Sequence, residues 1–331
     1  MRAALLTEIP AATLHVEDLD EPQPEPGELL LEVLACGICG TDLHILDGSS
    51  YRPKLPFVLG HEPVGRVLAA SSTEDDAWVG RLVTLTLFVG CGTCPACRNG
   101  DERLCADLRG ISGVLHLRGG FAERMVVQVS QALPLPAGIG VIEAASLVDA
   151  GATAANSVRI ALQTDWDGSA VVVGGGPVGF FVAELLRHAG RRLIVVQPSP
   201  ARRATLENLG HTVVASLDEI MEQPSVVIDC AAAPGIVPWA LERLVPRGVL
   251  IAAAYGPTDG YSLATLSRKE LSIRGVRSGT RADLQRVVEL AAAGAIRIPP
   301  ISSWPLDEIN DAITALREKR VPGKAVVVPT P

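Results

Sequence analysis

Aromatic side chains are scarce in this sequence: they make up 4% of its 331 residues, whereas hydrophobic residues as a whole make up 48%. A packed core must therefore be built mainly from Val, Ile, Leu and Ala. Basic stripes are also missing, and the formal net charge of −8 repels polyphosphates. These two features exclude nucleic-acid binding as a primary role, because such binding depends on clustered cations.

Long hydrophobic runs are absent as well. No apolar stretch approaches the roughly 18 residues that a membrane-spanning helix needs. The apolar part of the first eight residues, MRAALLTE, is too short for the core of a signal peptide. These absences predict a cytoplasmic protein that has no membrane partner.

Two patterns divide the chain, whose length suggests roughly two domains. Short aliphatic runs broken by Gly and Pro indicate strands in the first 150 residues: Leu29–Ala35, Val64–Leu68, Leu82–Leu87 and Phe121–Val129. After Gly151, strand-like runs alternate with helical patterns: Ala170–Val173, Val178–Ala189, Arg192–Val196, Ala201–Leu209, Val226–Ile228, Pro238–Leu244 and Val249–Ala253. Such alternation predicts an α/β fold with a parallel, doubly wound sheet.

Four of the seven cysteines form one local set, Cys91, Cys94, Cys97 and Cys105, with the spacing C-x2-C-x2-C-x7-C. Four thiolates satisfy a tetrahedral zinc and leave no position for water, which makes such a site structural. An iron–sulfur cluster also takes four cysteines, but its common bacterial run closes with a gap of three residues, not seven. Four unligated thiols in a loop are the remaining alternative.

A second group of metal-binding residue types lies upstream. It comprises the stretch CGICGTDLH, residues 36–44, and the stretch GHEP, residues 60–63. A thiolate, an imidazole and a carboxylate near one another make a mixed-ligand zinc site. Mixed ligand sets with an open position are typical of catalytic zinc.

The first strand–helix junction after residue 150 carries a G-x-G-x-x-G motif formed by Gly174, Gly176 and Gly179, with Pro177 and Val178 between the last two. It follows a buried strand and opens an amphipathic helix, as a dinucleotide-binding turn requires. The glycines permit a tight turn, and the helix N-terminus supplies amides to a pyrophosphate. A glycine turn with a purely structural role is the alternative.

Gln197 stands at the end of the following strand, where an acidic residue usually holds the adenosine ribose. Loss of that carboxylate removes repulsion toward a 2′-phosphate, and Ser199, Arg202 and Arg203 follow closely enough to contact one. This pattern favours NADP over NAD. The arginines are equally typical of a solvated helix start, so NAD stays open.

Together these motifs identify a family resemblance. The sequence resembles the zinc-dependent medium-chain alcohol dehydrogenases over nearly its whole length, through ICGTDLH, GHE, the four-cysteine set, the G-x-G-x-x-G motif and GVRSGTRAD at 275–283. The resemblance implies a discontinuous GroES-like, β-rich catalytic domain, residues 1–150 and 278–331, and a Rossmann coenzyme domain at 151–277. It also implies two zinc ions per chain and a homodimer or homotetramer.

Site roles follow residue by residue from the resemblance. Cys39 and His61 correspond to ligands of a catalytic zinc, and Glu62 to the carboxylate that approaches the metal during ligand exchange. Asp42 corresponds to the acceptor that fixes the tautomer of His61. Cys36 precedes the ligand cysteine and is not expected to bind metal; a Cys36–Cys39 redox pair is the alternative.

Asp149 stands where many members of the family carry a cysteine as the third protein ligand of the zinc. A carboxylate oxygen is a competent zinc ligand, and some members use Asp or Glu there. With one charge from Cys39 and one from Asp149, the site is neutral when Zn²⁺ is bound. The alternative is that Asp149 caps a helix that begins near Ala150.

The resemblance implies reversible oxidation of an alcohol to a ketone or aldehyde, with zinc as Lewis acid and hydride transfer to a nicotinamide. Thr41 resembles the hydroxyl that passes on the alcohol proton, and His44 resembles the relay to solvent. Arg281 resembles a cofactor-phosphate ligand, although a surface cation at a helix start fits equally. The rival hypotheses are a zinc-independent quinone or enoyl reductase of the same fold and a non-enzymatic cofactor-binding protein.

Overall fold

The computed structural model describes residues 1–164, 168–256 and 260–329, which belong to two compact units. The first unit contains Met1–Asp149, Thr280–Ala293 and the described residues from Pro300 onward; the second contains Ala150–Gly279 and Gly294–Pro299. The predicted division, which places 1–150 and all of 278–331 in the catalytic domain, differs from these units at Gly294–Pro299 and by one or two residues at Ala150 and at Ser278 and Gly279.

The strands of the described residues, in chain order, are β1 (Arg2–Leu6), β2 (His15–Asp18), β3 (Glu28–Ile38), β4 (Phe57–Val58), β5 (Glu62–Ala70), β6 (Leu82–Leu85), β7 (Phe88–Val89), β8 (Gly110–Ser112), β9 (His116–Leu117), β10 (Arg124–Gln128), β11 (Ala132–Pro134), β12 (Ser169–Val173), β13 (Arg192–Val196), β14 (Val213–Val214), β15 (Val226–Asp229), β16 (Val249–Ala252), β17 (Ser272–Gly275), β18 (Ile301–Pro305) and β19 (Lys324–Val328). The α-helices are α1 (Gly40–Leu46), α2 (Pro95–Arg98), α3 (Val141–Ala145), α4 (Ala152–Gln163), α5 (Pro177–His188), α6 (Pro200–Asn208), α7 (Ile236–Arg243), α8 (Leu263–Lys269), α9 (Arg281–Ala292) and α10 (Ile309–Arg317).

The first unit is built around a sheet in the order β11-β6-β5-β3-β19-β18, with β10 also paired to β3. Strand β3 is antiparallel to β5, β10 and β19, and its Leu29, Leu31 and Val33 are completely buried. The aliphatic run predicted over Leu29–Ala35 therefore forms the centre of this unit. Its position explains why nearly every side chain there is apolar.

The strand predicted over Phe121–Val129 is shorter in the structure, where β10 begins only at Arg124. Phe121 donates its backbone N–H to Leu59 and accepts a hydrogen bond from Ala4. The first residues of the predicted run therefore bond to other segments, and only the later residues pair with β3.

The second unit contains a six-stranded sheet in the order β14-β13-β12-β15-β16-β17, and every neighbouring pair is parallel. All five residues of the central β12 are buried, as expected for a strand with both faces covered. From β12 the chain continues to β13 and β14 on one side of the sheet. From β15 it continues to β16 and β17 on the other side. The carboxyl ends of these two strands form the switch point at which such sheets bind ligands, and the predicted doubly wound fold is confirmed.

The helices of the described residues are short. The longest of them, α4, α5 and α9, have 12 residues each. None of the helices in this part of the chain has the length and apolar character needed to cross a membrane.

Candidate active site

Cys39 lies between β3 and α1 and is the N-cap of that helix. Its Sγ accepts a hydrogen bond from the backbone N–H of Thr41 at 3.3 Å. The carboxylate of Asp42 reaches back and accepts from the N–H of Cys39 at 2.9 Å. This is a capping box with a thiol in the place usually taken by a hydroxyl. The CGTD sequence therefore fixes the sulfur locally, before any metal binds.

His61 is buried immediately before β5 and faces that sulfur. Its Nε2 lies 3.1 Å from Cys39 Sγ, and its Nδ1 lies 3.3 Å from Asp42 Oδ1. Apart from this contact, neither His61 Nδ1 nor Asp42 Oδ1 has a hydrogen-bond partner among the described residues. Asp42 thus faces one ring nitrogen of His61 and leaves the other directed at the sulfur.

The negative groups around His61 favour a positive charge at this place, here the protonated imidazole. Burial lowers the pKa of His61, but Cys39, Asp42 and Asp149 outweigh that effect and raise the pKa well above its usual value. Side chains that together stabilise a proton so strongly in a buried place are also arranged to stabilise a bound metal ion.

Asp149 lies in a π-helical turn, Leu147–Gly151, that precedes α4. Its Oδ2 is 3.7 Å from His61 Nε2. The N-cap of α4 is Gly151, which has no side chain with which to cap the helix. The turn places the carboxylate of Asp149 beside His61, as a shared metal site requires, and its role as a zinc ligand stays a prediction.

The donor set fits zinc. Tetrahedral bonds of about 2.3 Å to sulfur and about 2.0 Å to nitrogen or oxygen separate the ligand atoms by about 3.3–3.8 Å. The ligand atoms of Cys39, His61, Glu62 and Asp149 all lie within 4.8 Å of one another. Cys36 is not part of this group; it is buried inside β3, and burial raises the pKa of its thiol well above the usual value.

Glu62 is buried beside this group and forms an ion pair with Lys324, a residue that our sequence analysis missed. Lys324 Nζ donates to Glu62 Oε1 at 2.6 Å and also contacts Oε2. Both side chains are at most 1% exposed. A lysine that opens an apolar strand, KAVVV, is the only signal in the sequence, and it does not reveal a partner 262 residues away.

The four-cysteine set converges as its spacing predicts. Tetrahedral zinc–sulfur bonds of about 2.3 Å place the sulfurs about 3.8 Å apart. Cys94 Sγ lies 3.6 Å from Cys97 Sγ and 3.8 Å from Cys105 Sγ, and all four sulfurs, including that of Cys91, lie within 4.8 Å of one another. Hydrogen bonds from the hydroxyl and N–H of Thr93 and the N–H of Cys94 lower the pKa of Cys91 to about 6, which favours the thiolate that a metal requires.

The glycine turn of the second unit has the form that a dinucleotide requires. Gly174 has φ +96°, which favours glycine, and a Cβ on Gly179 would lie 1.7 Å from the carbonyl oxygen of Gly174. A Cβ on Gly176 would meet only Arg202, at 3.9 Å, so the N-terminus of α5 is open to an approaching group. Pro177 is the first residue of α5, where its missing N–H costs nothing.

Gln197 follows β13 and is buried beside that turn. Its Oε1 accepts from the N–H of Ser199 at 3.0 Å. Arg203 donates to the carbonyl oxygens of Gln197 and Pro198, whereas Arg202 extends toward Gly176. Of the two predicted arginines, Arg202 is therefore the one beside the glycine turn.

The remaining predicted residues lie in the first unit. Thr41 is half-buried and His44 exposed on α1, and His44 Nδ1 lies 3.3 Å from Ser49 Oγ. The guanidinium of Arg281 donates to the carbonyl oxygens of Ser130 and Ala132 at 2.9 and 2.6 Å. The role of Arg281 as a cofactor ligand stays a prediction.

Comparisons with known proteins agree with this geometry. Residues 25–137 match the family model described as alcohol dehydrogenase GroES-like domain, and residues 177–293 match the model described as zinc-binding dehydrogenase. The chain is 32% identical to a probable alcohol dehydrogenase, AdhA, of Mycobacterium tuberculosis, covering 93% of this chain and 90% of that one. It is 26% identical to an alcohol dehydrogenase of Geobacillus stearothermophilus, covering 99% and 98%.

Solved structures show the same likeness. The crystal structure of the alcohol dehydrogenase from the hyperthermophilic archaeon Aeropyrum pernix superposes with a TM-score of 0.90 at 29% identity, covering 99% of this chain and 100% of that one. The mixed-ligand site, the four-cysteine set, the glycine turn and these matches lead to one conclusion: the chain belongs to the zinc-type medium-chain dehydrogenase/reductase superfamily and is an oxidoreductase that uses a nicotinamide cofactor.

Proposed function

We propose that this protein is a zinc-dependent alcohol dehydrogenase that transfers hydride between an alcohol, or the corresponding ketone or aldehyde, and NADP. The observation that carries the proposal is the convergence of Cys39, His61 and Asp149, with Glu62 beside them, on one point. A quinone or enoyl reductase that works without zinc has no use for this donor set.

Cys39, His61 and Asp149 would hold the catalytic zinc, which supplies Lewis-acid polarisation of the substrate oxygen when bound. Asp42 orients His61, and the capping box of α1 holds Cys39, so the donors are in place before binding. Cys91, Cys94, Cys97 and Cys105 would hold a second, structural zinc, because sulfur fills every position there.

Thr41 and His44 would move the alcohol proton. They are three residues apart on α1, so both lie on the same side of that helix. The half-buried Thr41 adjoins the metal ligand Cys39, and the exposed His44 meets solvent. We propose that the Thr41 hydroxyl accepts the alcohol proton while it gives up its own proton toward His44, and that His44 releases a proton to water.

The second unit would hold the coenzyme. The backbone N–H groups of Gly176 and Val178 stand where the N-terminus of α5 attracts the pyrophosphate, and Pro177 between them has no N–H to donate. A neutral side chain at Gln197 does not repel a 2′-phosphate. Ser199, beside Gln197, and Arg202, beside Gly176, would bind one. The ratio of kcat/KM for NADP to that for NAD tests this preference, and a ratio well below one would exclude it.

Zinc content tests the proposed function. We expect two zinc ions per chain in the wild type and one in Asp149→Ala, measured by mass spectrometry of the metal after gel filtration. Asp149→Cys is the matched control, because a thiolate there restores a third ligand and should restore the second zinc.

Two results would contradict the proposal. If Asp149→Ala retained two zinc ions, Asp149 would not be a ligand. If the wild type itself contained one zinc ion and Asp149→Ala the same, only the four-cysteine set would be occupied. A zinc-independent reductase would then be the better hypothesis.

A further inference from the structure

Lys324 and Glu62 form a buried pair of opposite charges, and such a pair needs an explanation. Glu62 is completely buried and Lys324 is 1% exposed. Moving two charged groups out of water costs several kcal/mol each, and apolar residues of similar size often stabilise a fold as well or better. Stability alone is therefore a weak reason for an ion pair at this place.

The pair spans three neighbouring strands of the first unit. Glu62 begins β5 and Lys324 begins β19, and β3 lies between them. Gly37 of β3 is paired with Glu62 on one side and with Val326 on the other. The two charged side chains therefore meet over the middle strand.

Gly37 makes room for this meeting. A Cβ at position 37 would lie 1.9 Å from Glu62 Oε2 and 3.0 Å from Lys324 Cε. Gly37 is not among the residues with positive φ, so its backbone does not require glycine. Space for the carboxylate is therefore what requires glycine here.

Besides Lys324, Glu62 has a second potential partner, which is the metal of the proposed catalytic site. One of its oxygens lies within 4.8 Å of the ligand atoms of Cys39, His61 and Asp149. A carboxylate is a competent zinc ligand, and a zinc with four protein ligands has no position left for substrate. The same carboxylate can therefore pair with the lysine or close the metal site.

We propose that Lys324 is a positioning residue that holds Glu62 in the slot over Gly37, away from the catalytic metal, so that one coordination position stays open to an exogenous ligand. This inference rests on the catalytic metal site of the proposed function. The attraction of the ammonium group for both carboxylate oxygens opposes ligation by Glu62. Release of that ion pair would free Glu62 to reach a bound metal.

Binding of imidazole to the cobalt-substituted enzyme tests the inference without an activity assay. Imidazole competes for the open position, and the visible absorption of Co²⁺ reports its binding. In Lys324→Met we expect Glu62 to ligate the metal and the Kd for imidazole to rise roughly tenfold or more. Lys324→Arg keeps the positive charge and should keep the Kd within about threefold of the wild type.

Two further variants separate this effect from a loss of folding. Gly37→Ala keeps the ammonium group of Lys324 but displaces chiefly the Glu62 carboxylate, because the new Cβ would lie 1.9 Å from Glu62 Oε2 and 3.0 Å from Lys324 Cε; it should weaken imidazole binding in the same direction. The double variant Lys324→Met/Glu62→Gln removes both charges and therefore avoids an unpaired buried carboxylate. It should return the Kd to near the wild-type value.

Several outcomes would overturn the inference. Unchanged imidazole binding in folded Lys324→Met or in Gly37→Ala would show that the ion pair does not keep Glu62 off the metal. Weak binding in the double variant would show that Lys324 acts by another route. If the wild type takes up cobalt only at the four-cysteine set, the catalytic metal site does not exist, and the proposed function and this inference fail together. If the wild type binds two cobalt ions, the catalytic site exists, and the variants then test the inference alone.

Discussion

Cys39 performs two tasks with one side chain, since its sulfur caps α1 and faces Nε2 of His61 at 3.1 Å. Thr41 and Asp42, which complete the cap, are adjacent in the sequence, so the geometry of the ligand is set by four consecutive residues. His44 follows on the same short helix and is exposed. The proposed metal ligand, the proposed proton acceptor and the proposed relay are therefore carried by one local segment.

The relay leads to a prediction about pH. His44→Gln should lower kcat for alcohol oxidation several-fold at pH 7 and much less at pH 9.5, because glutamine cannot carry the proton and hydroxide replaces the relay in alkaline solution. Steady-state pH profiles of kcat for both proteins check this. Ser49→Ala is a useful companion, since it removes the hydroxyl beside His44 but keeps the imidazole.

An unchanged pH profile in His44→Gln would rule out the relay. A uniform loss at every pH would instead indicate a structural role for the imidazole.

Helix α5 shows how one element joins distant parts of the second unit. Its Glu184 is completely buried and accepts hydrogen bonds from His211 Nε2 at 2.7 Å, from the backbone N–H and Nε of Arg297 at 2.9 Å each, and from Arg187 Nη2 at 3.1 Å. These bonds attach the segment Gly294–Pro299 to the second unit, and this is why the structure departs there from the predicted division of the chain. Burial alone would raise the pKa of Glu184, but the bonds from His211, Arg297 and Arg187 hold it well below its usual value.

Replacement of this carboxylate should destabilise the second unit. Glu184→Gln removes the charge that compensates Arg297, and we expect the free energy of unfolding at pH 7 to fall by about 3 kcal/mol. Urea unfolding followed by circular dichroism measures this change. Glu207→Gln, on the exposed side of α6, is the matched control and should change stability little.

The pH dependence of this effect has a definite sign. The folded protein holds the pKa of Glu184 below that of the unfolded chain, so its contribution is fully present above the unfolded value, about 4.3, and is lost as pH falls toward the folded value. The difference between wild type and Glu184→Gln should therefore narrow below about pH 4. A difference that grows as the solution is acidified would contradict this account.

At the scale of the whole molecule, the sheet of the second unit ends in an exposed strand. All four residues of β17 are exposed, including Ile273. The N–H groups of Ser272 and Val276 donate to the β16 side, so those of Ile273 and Gly275 point away from the sheet. Natural proteins usually cover or charge such an edge, because it is a template for another strand.

We predict that the protein is a homodimer, or a homotetramer built from it, and that this edge joins two copies of the chain. Ile273→Lys places a charge on the edge and should shift the mass measured by light scattering toward the monomer. Leu68→Lys is the matched control, because Leu68 of β5 is equally exposed, at 36%, and lies in the first unit. A wild type that is monomeric, or an Ile273→Lys variant that assembles normally, would exclude this edge as the interface.

The sequence by itself determined the fold class, the family and most of the candidate site residues. Their signals are local: four cysteines within 15 residues, the CGTD stretch that caps its own helix, and three glycines between a strand and a helix. Such motifs can be recognised from the sequence because their residues are only a few positions apart, so the local backbone geometry decides where their side chains lie.

Only the tertiary structure decided which distant residues meet. Lys324 pairs with Glu62 across 262 positions, and Arg297 pairs with Glu184 across 113. The π-helical turn that brings the carboxylate of Asp149 beside His61 is another feature that the sequence did not reveal. Strand order and helix docking create these contacts, and the periodicity of a single segment contains no information about its partner.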